Sequence, residues 1–236
     1  MSTQQHQDAH ARLVLAAQSI AGMTIGELAA RVGVAMPETG SRQKGIIGEL
    51  VERALDAPRS TQRGPDFPCG TELKTIPIRA DGTPRESTFV AVVSTKDLEC
   101  PWEQSNVYAK LRRVLFVPVE ATEARPFMQR RFGLAFVWSP SEHEEQLLAS
   151  DWNELAEQTL LHGDIDARVG RALQIRPKGR NAEDTTRRHD TDGAPARVMK
   201  RAFYMRTSFT RDVLASSGLR AQAKEVVTGS LRGERR

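Results

Sequence analysis

The chain has 236 residues, 39% of them hydrophobic and 27% charged, which is enough for one large domain or two small lobes with a soluble core. Two cysteines, Cys69 and Cys100, are too few for a disulfide framework and fit a reducing compartment, so we expect a cytoplasmic protein. The net charge of +4 permits nucleic-acid binding without requiring it, and no apolar run is long enough to span a membrane.

Helical patterns occupy the first quarter of the chain. Apolar spacing predicts a first helix over about 8–19, and Thr24-Ile-Gly-Glu27 has the form of a capping box that starts a second helix through Val32. A third helix is expected over 43–57, where apolar residues recur at helical spacing, and Pro58 should end it. These helices precede every predicted strand.

Strand patterns dominate the middle of the chain. Segments rich in β-branched and aromatic residues predict strands over 71–78, 88–93, 114–119 and 132–138. Asp81-Gly82 predicts a hairpin turn between the first two strands, and a short basic helix is expected over 107–113. Ser139-Pro140 then fits the N-cap and first position of a long helix that runs to about Leu161 and ends at Gly163.

The last third of the chain has weaker patterns. Three further elements are expected, namely strands over 172–176 and 201–206 and a helix over 208–215. The polar stretch 179–197 lacks periodicity and predicts a mobile loop. The order of the elements predicts an α/β fold with a mixed sheet flanked by helices. We expect one domain over 1–218, with two arms about a cleft, and a basic tail over 219–236 that is helical or disordered.

The residues with the most chemical information lie around a short turn, Asp66-Phe-Pro-Cys-Gly-Thr-Glu72-Leu-Lys74. Side chains two apart on a strand point to the same face, so Glu72 and Lys74 should project together, with Leu73 turned into the core. The turn can return Asp66 to the same place. Two carboxylates and an ammonium group suit Mg²⁺-dependent phosphodiester hydrolysis. In a chain with 27% charged residues, the same pattern also fits a solvated turn with an ion pair at a strand edge.

Longer stretches show a family resemblance. They are Lys44–Glu52, Glu72–Ile78, Glu86–Val90, Trp102-Glu103, Lys110–Leu115, Val137–Pro140, Leu173–Lys178 and Phe203-Tyr204. In composition and order they resemble the MutH family, the GATC-specific nicking endonucleases of bacterial methyl-directed mismatch repair, over most of residues 10–215. The resemblance implies a restriction-endonuclease-like fold with two arms around a DNA cleft. It also implies a Mg²⁺-dependent endonuclease that nicks the unmethylated strand at hemimethylated GATC sites.

By the same resemblance, Asp66, Glu72 and Lys74 match the catalytic residues of the family, with the two carboxylates as metal ligands. Glu52 matches a further acidic residue of the active site, and Lys110 matches a lysine near it. Without the resemblance each would be read as an exposed charge on a helix. The spacing from Asp66 to Glu72 is six positions, one fewer than the resemblance leads us to expect. A shorter turn is tolerable because the sheet fixes its ends.

Other matches concern DNA. Arg176 and Pro177 match the segment that reads GATC: an arginine stiffened by proline suits bidentate contact with guanine, and a phosphate contact is the alternative. Tyr204 matches a tyrosine linked to sensing the methylated adenine, where it would clash with an added methyl group. Core packing is the alternative for this side chain. Phe89 and Lys178 match positions of DNA contact.

Partners and rival functions follow from the same resemblance. We expect a monomer that binds double-stranded DNA, has low activity until MutL stimulates it, and depends on MutS indirectly. The alternatives are a restriction endonuclease that cuts both strands at GATC and a DNA-binding module without catalysis. Cys69 has no evident activating base and is read as a packing residue, and His143 and His162 are read as surface residues.

Overall fold

The structure is a computed structural model that describes residues 3–36, 43–58, 63–162, 168–178, 185–189 and 195–216. The chain divides into two compact units, each formed from stretches that are separated in sequence. The first unit comprises Met1–Glu86, Arg113–Trp138 and Arg211–Arg236, and the second comprises Ser87–Arg112 and Ser139–Thr210. Among the described residues, no helix is both long and apolar enough to cross a bilayer.

The helices and strands are numbered in chain order. The helices are α1 (Thr3–Gln18), α2 (Ile25–Val32), α3 (Gln43–Ala54), α4 (Thr95–Leu98), α5 (Asn106–Leu111), α6 (Glu142–His162) and α7 (Thr207–Ser216). The strands are β1 (Glu72–Ile78), β2 (Thr88–Val92), β3 (Val114–Glu120), β4 (Phe136–Trp138), β5 (Leu173–Pro177), β6 (Thr185–His189), β7 (Pro195–Met199) and β8 (Arg201–Met205).

The first unit contains a mixed sheet in the order β1-β3-β4. Strand β1 runs parallel to β3, with Glu72 opposite Val114, and β4 runs antiparallel to β3. One face of this sheet packs against apolar side chains of α1, α2 and α3. The central members of this core are Ala17, Leu28, Leu50, Val51, Leu73, Leu115 and Val117. The alternation along β1 therefore turns Leu73 into the core, as expected for a strand that is buried on this face.

Local sequence explains the bounds of α2. The hydroxyl of Thr24 accepts the N–H of Glu27 at 3.1 Å, and the Glu27 carboxylate accepts the N–H of Thr24 at 2.7 Å, so the expected capping box is confirmed. Gly33 ends the helix with a φ of 66°. The neighbouring helix α3 ends at Ala54, earlier than expected, and the chain turns away where Asp56 has a φ of 50°.

The second unit contains an antiparallel sheet in the order β2-β8-β5, so β8 is its central strand. Its buried face includes Phe203, whose ring lies 5.0 Å from that of Trp152 on α6. Trp152 in turn lies 6.1 Å from the ring of Trp102. Together the two units have helices flanking small sheets, one of them mixed, and the expected α/β class is confirmed.

The predicted hairpin between the first two strands is wrong. A tight turn does form at Asp81-Gly82, because the N–H of Arg79 donates to the carbonyl of Thr83 at 2.8 Å. However, β2 pairs with β8, with Thr88 opposite Met205, and belongs to the sheet of the second unit. Turn residues specify the local backbone conformation and leave the partner of the next strand to long-range packing.

The loop predicted over 179–197 is wrong where the structure describes it. Strands β6 and β7 form an antiparallel hairpin, with Thr185 opposite Met199. Their sequence lacks the alternation of apolar and polar residues that signals a half-buried strand. Residues 179–184 and 190–194, the expected helix end at Gly163 and the tail over 219–236 lie outside the described residues.

Two element starts also differ from the prediction. Helix α6 is capped by Ser141 and not by Ser139: the Ser141 hydroxyl accepts the N–H of Glu144 at 3.3 Å, and the Glu144 carboxylate accepts the N–H of Ser141 at 2.7 Å. Strand β4 begins at Phe136 because the preceding segment makes only an isolated bridge to β3, between Phe132 and Val119.

Candidate active site and nucleic-acid interface

A tight turn before β1 brings Asp66, Glu72 and Lys74 together in the first unit. Phe67 and Thr71 form an isolated bridge, in which the Phe67 N–H donates to the Thr71 carbonyl at 3.0 Å. Gly70 closes the turn with a φ of 78°, a conformation that glycine adopts at little cost. The turn reverses the chain, so Asp66 returns to the first two residues of the strand.

Reciprocal hydrogen bonds fix the two carboxylates relative to each other. The backbone N–H of Asp66 donates to Glu72 Oε2 at 3.2 Å, and the backbone N–H of Leu73 donates to Asp66 Oδ2 at 2.9 Å. Glu72 therefore accepts a hydrogen bond from the backbone of Asp66, and Asp66 accepts one from the backbone of the residue that follows Glu72. At a separation of six positions, this pair of bonds joins the start of the turn to the start of β1.

Lys74 and Glu72 form a buried ion pair on the same face of β1. Lys74 Nζ donates to Glu72 Oε1, and the two side chains are 13% and 0% exposed. A buried charge is costly unless it is paired and hydrogen-bonded, and Glu72 meets both conditions through Lys74 and Asp66. A cluster of charged groups that is kept partly buried despite this free-energy cost is typical of a functional site.

Glu52, near the end of α3, experiences the negative charge of this group. Its pKa is raised, first because its carboxylate loses part of its hydration and second because of the charge of Asp66, while Lys74 opposes the shift. The residue as a whole remains exposed. Among the charges that act on Glu52, those of Asp66, Glu49 and Glu72 raise its pKa and that of Lys74 lowers it.

The carboxylates suit a hard divalent cation. The Asp66 carboxylate accepts its hydrogen bond from Leu73 through Oδ2, and both acids present hard carboxylate oxygens. Within the described residues there is no group of three or more His, Cys, Asp and Glu side chains that could hold a metal. Mg²⁺ needs no such cage, since it is usually bound by one or two carboxylates together with water and substrate phosphates.

Lys110 belongs to the second unit, in the last turn of α5, where it is half-buried. Asp66, Glu72, Lys74 and Glu52 belong to the first unit. The structure thus brings four of the five predicted catalytic residues into one unit, and assigns the fifth to the other.

The predicted DNA-contacting residues gather on the exposed face of the sheet in the second unit. Strand alternation buries Phe203 and Met205 fully and leaves Tyr204 half-buried on the opposite face. There the ring of Tyr204 meets that of Phe89 edge to face, with centroids 5.7 Å apart. The core-packing alternative for Tyr204 therefore does not describe this side chain.

Two cations lie over these rings. Arg176 Cζ is 5.9 Å from the centroid of Tyr204, and its guanidinium donates to the Ser87 hydroxyl at 2.9 Å. Lys178 Nζ is 4.3 Å from the centroid of Phe89. Arg176 and Lys178 are exposed, as is Pro177 between them, so aromatic faces and cations alternate on one solvent-facing surface. Such a surface suits contacts with phosphates and base edges.

The residue that fixes the start of β5 was not predicted from the sequence. Asp151, on α6, is buried, and its Oδ2 accepts the backbone N–H groups of Arg171, Ala172 and Leu173 at 2.8, 2.5 and 2.8 Å. Gly170 precedes them with a φ of 82°, and a Cβ there would lie 2.2 Å from the Leu173 carbonyl oxygen. A signal was present: Asp151 has the helical spacing of the buried residues Leu148, Trp152 and Leu155.

The minor expectations agree with the structure. Both cysteines are free, and Cys69 is buried inside the turn. His143 and His162 are exposed, as predicted.

Comparison with known proteins gives a consistent match. The profile of a family described as "DNA mismatch repair enzyme MutH" matches residues 55–151. The chain is 42% identical over 218 residues to the "DNA mismatch repair protein MutH" of Vibrio campbellii, which covers 91% of this chain and 96% of that protein. It is 43% identical over 209 residues to the protein of the same name from Escherichia coli strain K12, covering 86% and 91%. The similarity thus extends over both units.

Proposed function

The chain belongs to the MutH family of DNA mismatch repair enzymes, and we propose that it is an endonuclease that nicks the unmethylated strand of hemimethylated GATC sites. The observation that supports this most directly is the set of Asp66, Glu72 and Lys74. Their carboxylates are joined by reciprocal hydrogen bonds, and Lys74 pairs with the buried Glu72. A solvated turn would require none of this burial.

In this proposal Asp66 and Glu72 would hold Mg²⁺. Burial is the largest cause of the raised pKa of Glu52, and the charges of Asp66, Glu49 and Glu72 add to it; a group of carboxylates this close together attracts a divalent cation. When bound, the ion supplies Lewis-acid polarisation of the scissile phosphate and promotes ionisation of the attacking water. The hard oxygen donors of the two acids match the preference of Mg²⁺.

The remaining charged residues act on the nucleophile and on the developing charge. Lys74, fixed beside Glu72, can orient the attacking water and stabilise negative charge on the phosphate. Glu52 retains solvent access and can bind a water molecule or a second cation. Lys110 is assigned a supporting role near the scissile phosphate from the family resemblance. The reaction is hydrolytic and passes through no covalent enzyme intermediate.

In this proposal, the residues that recognise the DNA bases lie on the exposed face of the sheet in the second unit. Arg176 can contact O6 and N7 of guanine bidentately, and its hydrogen bond to Ser87 and its position over Tyr204 limit its rotamers. Tyr204 projects from the same face and would clash with a methyl group on adenine, which provides discrimination against the methylated strand. Pro177, Lys178 and Phe89 complete the contact surface for double-stranded DNA.

We further propose that the protein acts as a cytoplasmic monomer whose activity is low until MutL stimulates it, with MutS acting indirectly at the mismatch. Support comes from the family to which the chain belongs. One set of catalytic residues per chain suits cleavage of a single strand. A dimer that cleaved both strands would be a restriction enzyme, so the assay must distinguish nicking of one strand from cleavage of both.

The test is a nicking assay on three supercoiled plasmids with GATC sites that are unmethylated, hemimethylated or fully methylated. Each is incubated with purified protein, with Mg²⁺ or EDTA, and with or without MutL and ATP. We expect open circles from the first two plasmids, more of them with MutL, and none from the third or in EDTA. Linear product at every GATC site would instead identify a restriction enzyme, and binding without cleavage a silent DNA-binding module.

The site assignment needs matched variants. Asp66→Ala should abolish nicking, whereas Glu49→Gln should leave it unchanged, because Glu49 is an exposed acid on α3 whose carboxylate pairs with Arg53 at 2.8 Å. Glu49 lies three positions before Glu52, so it controls for a general loss of charge near the site. Full activity in a clean preparation of the Asp66 variant contradicts the assignment.

A further inference from the structure

The turn between Asp66 and Glu72 is bonded to the first helix of the chain as well as to the sheet. His10, on α1, approaches Oγ1 of Thr71 through Nδ1 at 3.1 Å, across 61 residues of sequence. Thr71 is fully buried and directly precedes Glu72. Any movement of Thr71 is therefore passed to the backbone of the buried acid.

The direction of this hydrogen bond depends on the tautomer of His10. Thr71 Oγ1 also accepts from the Cys69 thiol at 3.5 Å. In the neutral form of His10 that carries its proton on Nε2, Nδ1 accepts the hydroxyl proton of Thr71. Partial burial, and then the charge of Arg113, lower the pKa of His10 and favour the neutral ring.

Arg113 connects the same turn to β3. Its guanidinium donates to the carbonyl of Cys69 at 3.5 Å, and its own carbonyl accepts the N–H of Glu72 at 3.0 Å. The turn is thus bonded on one side to the strand next to β1 and on the other side to α1. The bonds with Arg113 involve backbone groups of Cys69 and Glu72, whereas the bond with α1 joins two side chains, those of His10 and Thr71. Only the bond with α1 is therefore lost when His10 is replaced.

We propose that His10 is a positioning residue for the acidic site, which acts through Thr71 to fix the turn that brings Asp66 to Glu72. Without His10, the buried Thr71 hydroxyl would lose this hydrogen bond, and relief of that cost would shift Thr71 and Glu72 together. Misplacement of catalytic groups by a fraction of an ångström lowers the rate of the chemical step far more than it lowers substrate affinity. The catalytic meaning of this position rests on the proposed function above.

The test compares five variants of the full-length protein, the fifth of which combines His10→Ala with Thr71→Val. His10→Ala removes the acceptor, and His10→Asn restores it, because the Asn side-chain oxygen can occupy the place of Nδ1. Thr71→Val removes the hydroxyl while keeping the shape of the side chain. His6→Ala is the matched control, since His6 lies one helical turn earlier on α1. Each variant is measured for single-turnover nicking rate, for the Kd of a GATC duplex in EDTA and for Tm.

We expect His10→Ala and Thr71→Val each to lower the nicking rate on the order of tenfold to a hundredfold, with Kd changed less than about twofold. The double variant should be no slower than the worse single one, because both remove the same bond. His10→Asn should restore most of the rate, and His6→Ala should match the wild type. A wild-type rate in His10→Ala, or an equal loss in His6→Ala, overturns the proposal.

Amide hydrogen exchange provides a readout that does not depend on activity. The N–H of Leu73 donates to Asp66 and that of Asp66 to Glu72, so both should exchange faster in His10→Ala and return towards the wild-type rate in His10→Asn. If the wild-type chain nicks no DNA, the proposed function fails, and these two amides alone decide the positioning role. Unchanged exchange at both positions rejects it.

Discussion

The buried carboxylate of Asp151 offers a quantitative test of how the second unit fixes the strand that bears Arg176. One oxygen accepts three successive backbone N–H groups at the start of β5, and the side chain is only 2% exposed. The perturbations are Asp151→Ala, which removes the acceptor, and Asp151→Asn, which keeps an acceptor oxygen without the charge. Glu157→Gln, an exposed acid on the same helix, is the control.

The magnitude follows from the number and kind of bonds. A buried donor left without a partner costs about 1–3 kcal/mol. Water can enter the space that alanine leaves, so the low end applies and three donors give a loss of roughly 3–5 kcal/mol. Hydrogen bonds to a charged acceptor are about twice as strong as neutral ones, so the Asn variant should lose about half as much. Against a typical total of about 5–15 kcal/mol, the Ala variant then loses between roughly a fifth and all of the stability of the protein.

Urea unfolding followed by tryptophan fluorescence measures these losses, because Trp152 neighbours Asp151 and packs on Phe203 in the same unit. The expected order of stability is wild type and Glu157→Gln together, then Asn, then Ala. Losses below about 1 kcal/mol in both Asp151 variants would show that Asp151 does not hold the start of β5, because three unpaired buried donors cannot cost so little. A loss in the Asn variant equal to that of the Ala variant would show that charge, and not the acceptor, determines the effect.

Three further predictions concern charge and recognition. The pKa of Glu52 is raised in the folded state, so the contribution of this carboxyl group to stability is fully present below its ordinary pKa of about 4.5 and is lost as pH rises through the folded-state pKa. Glu52→Gln should therefore have a Tm at pH 7 at least equal to that of the wild type while its nicking rate falls, and Glu49→Gln should change neither. His10 has a lowered pKa, so the unfolded state takes up the proton more readily, and urea midpoints should fall as pH drops below about 6.5, less so in His10→Asn. Arg176→Lys should lose roughly 1–3 kcal/mol of discrimination between GATC and a substituted site in competition binding, while a retained preference would exclude bidentate readout.

Sequence information was sufficient where the determining interactions are local. The joint projection of Glu72 and Lys74 follows from the period of two along a strand, and the start of α2 follows from a capping box four residues long. The return of Asp66 follows from a turn of a few residues that ends in a glycine with positive φ. In each case the residues in contact lie within eight positions of one another, so their backbone conformation alone brings them together.

Contacts between distant segments could not be predicted in the same way. The pairing of β2 with β8 joins Thr88 to Met205, and no feature of either segment specifies the other. The contacts of His10 with Thr71 and of Asp151 with the start of β5 likewise depend on how helices pack on sheets. The hairpin of β6 and β7 was not predicted for another reason. Its two strands pair through their backbones, but their sequences have no alternation of apolar and polar residues that would indicate a strand.

In each unit an aspartate carboxylate accepts backbone N–H groups at the start of a strand. In the first unit that aspartate is also the proposed metal ligand, and this affects how its role should be tested. Asp151 accepts the N–H groups that begin β5, and Asp66 accepts the N–H of Leu73 at the beginning of β1. Asp66→Ala therefore removes a strand-positioning acceptor together with the proposed metal ligand, and inactivity alone does not separate the two roles. Asp66→Asn keeps the oxygen that accepts from Leu73 and lowers the affinity for a hard cation. If Asp66 binds Mg²⁺, the Asn variant should keep the Tm and the slow Leu73 amide exchange of the wild type while it loses nicking. Nicking that persists in Asn and disappears in Ala would assign Asp66 to positioning alone.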